Sequence, residues 1–372
     1  MKLLKLTLAF SLFGICLQSC TPGDDQALKD VHLELPATPY SYGSGSNDQI
    51  PTLGRVLFYD NQLSVNNTVS CSSCHKQAFA FSDNAQFSRG FENKITSRNS
   101  MPIQNLRTSF FSTEDVVFFP GDSSFNGSST TKLFWDGREH NLNTMVLRPI
   151  VNHVEMGITD VEQLAEKLRA VPYYKDLFTQ AYGTDEITPD KISNALGLFL
   201  QSITSSNTKF DKANRMEDQL SALEAKGRQL FSDEYDCNSC HHVETPNGYA
   251  VAGGTFGNIG LDPIYSDSGL AAVTRRPTDV GKFKIPSLRN VVFTGPYMHD
   301  GRFESLDEVL EHYSSGIQDN SNLDPKLTNS DGGPKQMNIP DGDKQAIIAF
   351  LNTLTDVQVL ADPKFSNPFK TN

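Results

Sequence analysis

Three observations predict a mainly α fold built as one unit written twice. The pentapeptide Cys71-Ser72-Ser73-Cys74-His75 returns as Cys237-Asn238-Ser239-Cys240-His241. Ahead of each copy runs Gly-Arg-x-Leu-Phe-x-Asp, as Gly54 to Asp60 and again as Gly227 to Asp233. Behind each comes an Arg-Asn pair (Arg98-Asn99, Arg289-Asn290) and then Asp-Gly-Arg (Asp136 to Arg138, Asp300 to Arg302). His75 to Asp136 spans 61 residues and His241 to Asp300 spans 59. Matching of these features in order points to internal duplication. C-x-x-C-H is the attachment signal of a c-type haem: each thiol can form a thioether to a vinyl group, and the next histidine can bind the iron. The prediction is therefore mainly α, two haem domains in tandem, with long loops.

Taken in order, residues 1–19 read as an export signal. Lys2 and Lys5 precede an apolar run, Leu6 to Leu17, that is short for a membrane span. Leu17-Gln18-Ser19-Cys20 resembles a lipoprotein box, although Gln18 is larger than the usual small residue. Cleavage before Cys20 and lipidation of its thiol are expected, against the alternative of an ordinary secretory signal. Residues 20–48 read as a flexible tether, 49–212 as the N-terminal domain, 213–356 as the C-terminal domain and 357–372 as a tail. Apolar residues at helical spacing predict helices over Asp160 to Ala170, Tyr173 to Tyr182, Ile187 to Ser205, Met216 to Leu230 and Asp343 to Thr355. Val116 to Phe119 and Val291 to Phe293 are short apolar runs, either brief strands or buried loop. Segment 318–340, rich in Asn, Asp and Gly, reads as an exposed loop.

Composition narrows the function. The six cysteines divide into Cys16 and Cys20 at the N-terminus and the two C-x-x-C pairs, so none remains for a further disulfide or a cysteine-rich zinc site. The net charge of −12 becomes −14 once residues 1–19 and their two lysines are removed, leaving 30 basic and 44 acidic residues. Such a surface disfavours nucleic acid and anionic lipid and suits a basic soluble partner.

Four further stretches carry a resemblance. Phe134-Trp135-Asp136-Gly137-Arg138, Arg148-Pro149-Ile150-Val151-Asn152-His153-Val154-Glu155-Met156, Ile285 to Asn290 and Gly295-Pro296-Tyr297-Met298-His299-Asp300-Gly301 resemble the bacterial di-haem cytochrome c peroxidases, a family that includes MauG. The resemblance covers roughly residues 50–356 and implies two cytochrome c-like domains. It implies an N-terminal haem held by Cys71, Cys74 and His75 that reacts with hydrogen peroxide. It implies a C-terminal haem held by Cys237, Cys240 and His241 that accepts electrons from a small donor, a cytochrome c or a cupredoxin. Trp135 would be the bridge between the haems and Glu155 the distal acid and base. Asn99, Thr294 and the carbonyl of Pro296 would bind calcium. The residues themselves agree on Glu155: peroxide cleavage needs a proton moved between oxygens, and a carboxylate in an apolar Val-Glu-Met setting can move it.

The chain also departs from the pattern. Many members carry a histidine in the loop after the first haem site, yet none lies between Lys76 and Glu139. The N-terminal haem is expected to be five-coordinate or water-bound, with His140 and His153 as the stand-ins to check. Met145 occupies the place of a frequent glutamine. Fourteen residues after His299, where a methionine ligand often sits, stands Tyr313, as in the MauG-like branch. A phenolate there lowers a haem potential where a thioether raises it; His312, Met298 or no sixth ligand are the alternatives.

These readings predict an exported enzyme of the periplasm or cell envelope, membrane-attached only through a lipid on Cys20, that reduces hydrogen peroxide with electrons from a small redox protein. The family admits a homodimer. The competing reading is a MauG-like oxidase that modifies a partner protein or small molecule. A non-enzymatic electron carrier ranks third, because it would fill both axial positions of each haem.

Overall fold

The computed structural model describes residues 31–35, 48–106, 132–243 and 256–370. The expected signal, Cys16, Cys20, most of the tether and Val116 to Phe119 lie outside the described residues. Among the described residues no helix is long and apolar enough to cross a membrane.

The main helices are α1 (Gln49–Tyr59), α2 (Val161–Arg169), α3 (Pro172–Tyr182), α4 (Pro189–Ser202), α5 (Ala222–Gln229) and α6 (Asp341–Asn352). Their ends follow from local chemistry. Asp160 accepts from the Gln163 N–H ahead of α2, and Thr188 accepts from Lys191 N–H ahead of α4 with Pro189 at the first position. α3 starts at Pro172 and stops at Gly183, whose φ of 71° ends the helix in the left-handed region. α5 starts at Ala222, later than the apolar pattern from Met216 suggests, because Ser221 and Glu224 form a capping box there. Val291–Phe293 forms a 3₁₀ turn rather than a strand. Strand structure among the described residues is a two-residue antiparallel pair, β1 (Phe256–Gly257) with β2 (Phe283–Lys284).

The duplicated motif explains the packing of both halves. In the first, α1 lies on α4 so closely that a Cβ on Gly54 would fall 2.0 Å from the Ala195 carbonyl oxygen. In the second, α5 lies on α6 the same way, and a Cβ on Gly227 would fall 1.8 Å from the Ala346 carbonyl oxygen. The repeat phenylalanines then lock each crossing: Phe58 packs on Phe199 with ring centroids 5.3 Å apart, and Phe231 on Phe350 at 5.4 Å. Each pair centres its own buried cluster. Phe210 and Asp211, ahead of the expected boundary at 212, pack with the second cluster through Phe350 and Arg289. The C-terminal tail returns to the first: Val359 and Phe365 join that core, and Arg55 Nε donates to the Ser366 carbonyl at 2.6 Å.

Polar contacts tie the halves together. Arg98 donates two hydrogen bonds to Asp267 (2.7 and 2.8 Å) and one to Asp136 (2.7 Å). Asn290 Nδ2 donates to Gln104 Oε1 at 2.6 Å, and Gln104 Nε2 to the Arg289 carbonyl at 2.7 Å. These bonds set the relative position of the two Cys-x-x-Cys-His sites.

Candidate active site

Cys71 to Cys74 form a single helical turn whose start is fixed by the Ser70 N–H donating to Ser73 Oγ at 3.0 Å. The chain then doubles back through Ala80 and Phe81, both at positive φ. That turn brings the Phe81 carbonyl to 2.9 Å from His75 Nδ1. With Nδ1 donating there, Nε2 is left as the acceptor, the state an iron ligand needs. Burial also lowers the His75 pKa, favouring the neutral ring.

Glu155 lies near this site. Burial is the main cause of the raised Cys71 and Cys74 thiol pKa values, and the Glu155 charge adds to both. It sits in a tight turn in which the Asn152 carbonyl accepts from the N–H groups of Glu155, Met156 and Gly157. Asn152 Nδ2 donates to Glu155 Oε1 at 2.7 Å. Gly90 lies against this turn with no room for a side chain, a Cβ there falling 1.9 Å from the Val154 carbonyl oxygen. Burial raises the Glu155 pKa, while the Arg138 charge and the Asn152 hydrogen bond oppose the shift. Met145 is buried in the core beneath. His140 and His153 are exposed.

The second site opens on a cavity of about 1610 Å³ including its mouth, lined by Cys237, Cys240 and His241 among others. His241 Nδ1 lies 3.2 Å from the Pro286 carbonyl, again leaving Nε2 free, and burial brings its pKa down to about 4. Tyr313 lines the cavity, its phenol pKa raised by burial and by the nearby Cys237 and Cys240. Met298 lines it too. His312 does not: its Nε2 donates to the Ile259 carbonyl at 2.9 Å. Segment 318–340, expected as exposed loop, contributes Asp324, Lys326, Leu327, Lys335 and Met337 to the wall.

Trp135 borders the second site. It is buried on the cavity wall, its indole N–H donating to the Asn99 carbonyl at 2.9 Å. Three residues on, Arg138 stacks over Phe134 at 3.8 Å and acts on Glu155. One short segment thus lines the C-terminal cavity through Trp135 and acts electrostatically on Glu155 through Arg138. Asn99, Thr294 and Pro296 share the same wall. Asn99 Nδ2 donates to the Ala85 and Gln86 carbonyls, both at 3.2 Å, and among the described residues no donor reaches its Oδ1. Among the described residues no group of three or more His, Cys, Asp and Glu side chains is arranged to hold a metal ion.

Two kinds of residue escape sequence reading. Asn152 lies three positions before Glu155, a spacing that only a turn makes meaningful. Lys284 lines the cavity, with its backbone N–H donating to the Trp135 carbonyl at 2.8 Å. Burial lowers its pKa to about 8, and among the described residues no carboxylate pairs with it.

A family model described as "Di-haem cytochrome c peroxidase" matches residues 48–219. The cytochrome c551 peroxidase of Nitrosomonas europaea is 31% identical over 341 residues, covering 90% of this chain and 86% of that one. The chain belongs to the di-haem cytochrome c peroxidase family. Within the family it is also similar to the methylamine utilization protein MauG of Methylorubrum extorquens, 28% identical with 89% and 85% covered. A crystal structure of a MauG-like protein associated with microbial copper homeostasis superposes with a TM-score of 0.72 at 28% identity, covering 91% of this chain and 97% of that one. The mainly α, two-domain architecture is thus the family's. Family membership carries two c-type haems. The donor sets here fit them: each site offers a thiol pair and an imidazole tied by Nδ1 with Nε2 free.

Proposed function

We propose that this chain is an exported peroxidase that reduces hydrogen peroxide at the N-terminal site, with electrons received at the C-terminal site. The observation that carries the reading is Glu155, close enough for its charge to act on Cys71 and Cys74, held by Asn152 and raised in pKa by burial. Bound haem supplies the electron storage and the redox step with peroxide. Glu155 takes the proton from the near peroxide oxygen and hands it to the leaving one, and its raised pKa suits both transfers. Asn152 fixes Oε1, and Arg138 limits how far the pKa climbs. His75 and His241 are the proximal ligands through Nε2. With His140 and His153 exposed, His75 is the sole protein ligand expected at the first iron.

Trp135 connects the sites. Tyr313 would supply a further ligand to the second haem; the bond from His312 Nε2 to the Ile259 carbonyl counts against that alternative. Asn99 Oδ1 and the carbonyls of Thr294 and Pro296 would hold calcium at the interface, a set of hard oxygen donors suited to that ion. The electron donor is a small cytochrome c or cupredoxin. The chain acts in the periplasm or cell envelope, lipid-anchored through Cys20 and free to dimerise. Residues 49–212 and 213–356, less the Phe210 exchange, are its two working units.

Glu155→Gln tests this directly. The variant should bind both haems normally and lose peroxide turnover by about 10²–10⁴-fold; retained turnover places the acid elsewhere. The second reading, a MauG-like oxidase acting on a partner molecule, is favoured by Tyr313 on the cavity wall. Steady-state oxidation of a reduced c-type cytochrome by peroxide separates the two, since the oxidase would turn over slowly with such a donor.

A further inference from the structure

Asp60 closes the duplicated motif in the first half. Its Oδ1 accepts the Gln62 N–H at 2.8 Å, which is all that capping the following turn requires. Its Oδ2 accepts two phenols, Tyr173 and Tyr174, each at 2.6 Å. The tyrosine rings lie 4.8 Å apart between centroids. Tyr174 is fully buried, in the core cluster against which Cys71 packs. Tyr173 is half-buried and reaches the surface. The duplicated frame does not demand this arrangement. Asp233, the counterpart of Asp60, is exposed, and among the described residues no tyrosine hydroxyl reaches it.

We propose that Tyr174, Tyr173 and Asp60 form a second electron path into the N-terminal site, along which small phenolic reductants at the surface supply electrons without passing through the C-terminal half. This rests on the peroxide chemistry proposed above, which supplies the oxidant. Burial raises the pKa of both phenols, so neither ionises in its resting state. It also raises that of Asp60, which makes the carboxylate a better proton acceptor. In the first step Tyr174 gives one electron to the oxidised site and its phenolic proton to Asp60 Oδ2, leaving a neutral phenoxyl radical. Tyr173 then gives an electron to Tyr174, which recovers the proton from Asp60 as the Tyr173 proton takes its place. The external phenol gives an electron to Tyr173 and its own proton to solvent, and Tyr173 recovers the proton held by Asp60. Over two such passages one hydrogen peroxide and two phenols become two waters and two phenoxyl radicals. A phenol suits the task because it gives up one electron to the Tyr173 radical and releases to solvent one of the protons that peroxide reduction to water consumes.

The test uses the full holoprotein with hydrogen peroxide, guaiacol as the phenol and a reduced c-type cytochrome as the competing donor. Freeze-quenched EPR after peroxide should show a protein radical whose signal narrows in protein made with ring-deuterated tyrosine. Tyr174→Phe should lose that signal. Tyr173→Phe should keep it yet lose guaiacol oxidation, while oxidation of the cytochrome is unchanged in both. Each variant leaves Asp60 one phenol, and the deuteration result needs no variant at all. A radical unaffected by deuteration or undiminished in Tyr174→Phe, or guaiacol oxidation intact in Tyr173→Phe, overturns the path. The Soret band separates the two levels. If it does not respond to peroxide, the peroxidase reading falls along with the path. If it responds but no tyrosyl radical forms, only the path falls.

Discussion

The two halves share a frame and differ in everything attached to it. Gly54 and Gly227 let a helix approach its partner with the same lack of clearance, and Phe58 and Phe231 fill the same gap beneath. Both sites fix the proximal ring by Nδ1 on a backbone carbonyl. Beyond that the chemistry separates. The first half carries an acid with a raised pKa and a buried Asp60 with two phenols. The second carries a tyrosine and a lysine, without a carboxylate partner among the described residues, on the wall of a wide cavity. On the proposed reading, a duplicated scaffold would hold two haems in like fashion, with the loops deciding which one reacts.

Breaking the acid side of the comparison should have the largest effect. The 10²–10⁴-fold loss expected for Glu155→Gln corresponds to about 3–5 kcal/mol of barrier. The same variant should flatten the acid limb of the pH–rate profile. That limb should lie above the ordinary carboxylate range in the native protein, because burial raises the Glu155 pKa. Replacing Tyr313 by Met should leave Glu155 untouched and raise the potential of the C-terminal haem alone, measured by redox titration.

Next comes a stability contrast between two arginines of the repeat. Arg289 is buried against Asp211 with bonds of 2.6 and 2.8 Å, whereas Arg98 is partly exposed and shared between Asp136 and Asp267. Asp211→Ala strands the Arg289 charge and should cost about 3–5 kcal/mol in denaturant unfolding. Asp267→Ala leaves Arg98 with Asp136 and water and should cost less. Burial would raise the Asp211 pKa, but Arg289 and Thr208 outweigh it and hold the carboxylate below its usual value. The folded pKa is thus depressed. Its contribution is present above the unfolded carboxylate range and is lost as pH falls through the folded value. The smallest effect is expected from Gly54→Ala and Gly227→Ala. Each should lower stability by about 1–3 kcal/mol through overpacking, and by similar amounts if the two crossings are equivalent.

What could be read from the sequence was what is local or repeated. The C-x-x-C-H pairs, the Gly-Arg-x-Leu-Phe-x-Asp motif and the helical apolar spacing each act within a few residues, so their meaning survives without coordinates. The start of α5 was misplaced because Ser221 and Glu224 stop a pattern that apolar spacing alone would continue to Met216. Segment 318–340 is the exposed loop its polar composition predicts, with Ile339 its buried residue, but long-range folding also brings Leu327 and Met337 onto the cavity wall. Lys284 and the phenols on Asp60 were missed for a similar reason. Their environment is made by residues distant in sequence, and Asp60 meets Tyr173 and Tyr174 more than 100 positions away.

The central claim is that only the first half has an open, reactive iron site, with no histidine on its distal side. EPR of the oxidised holoprotein, before and after one equivalent of peroxide, measures it most directly. A high-spin signal from the N-terminal haem is expected, present without prior reduction and lost on addition of peroxide, with the C-terminal haem low-spin. A low-spin bis-histidine signal from the N-terminal haem, unmoved by peroxide until the protein is reduced, would contradict it.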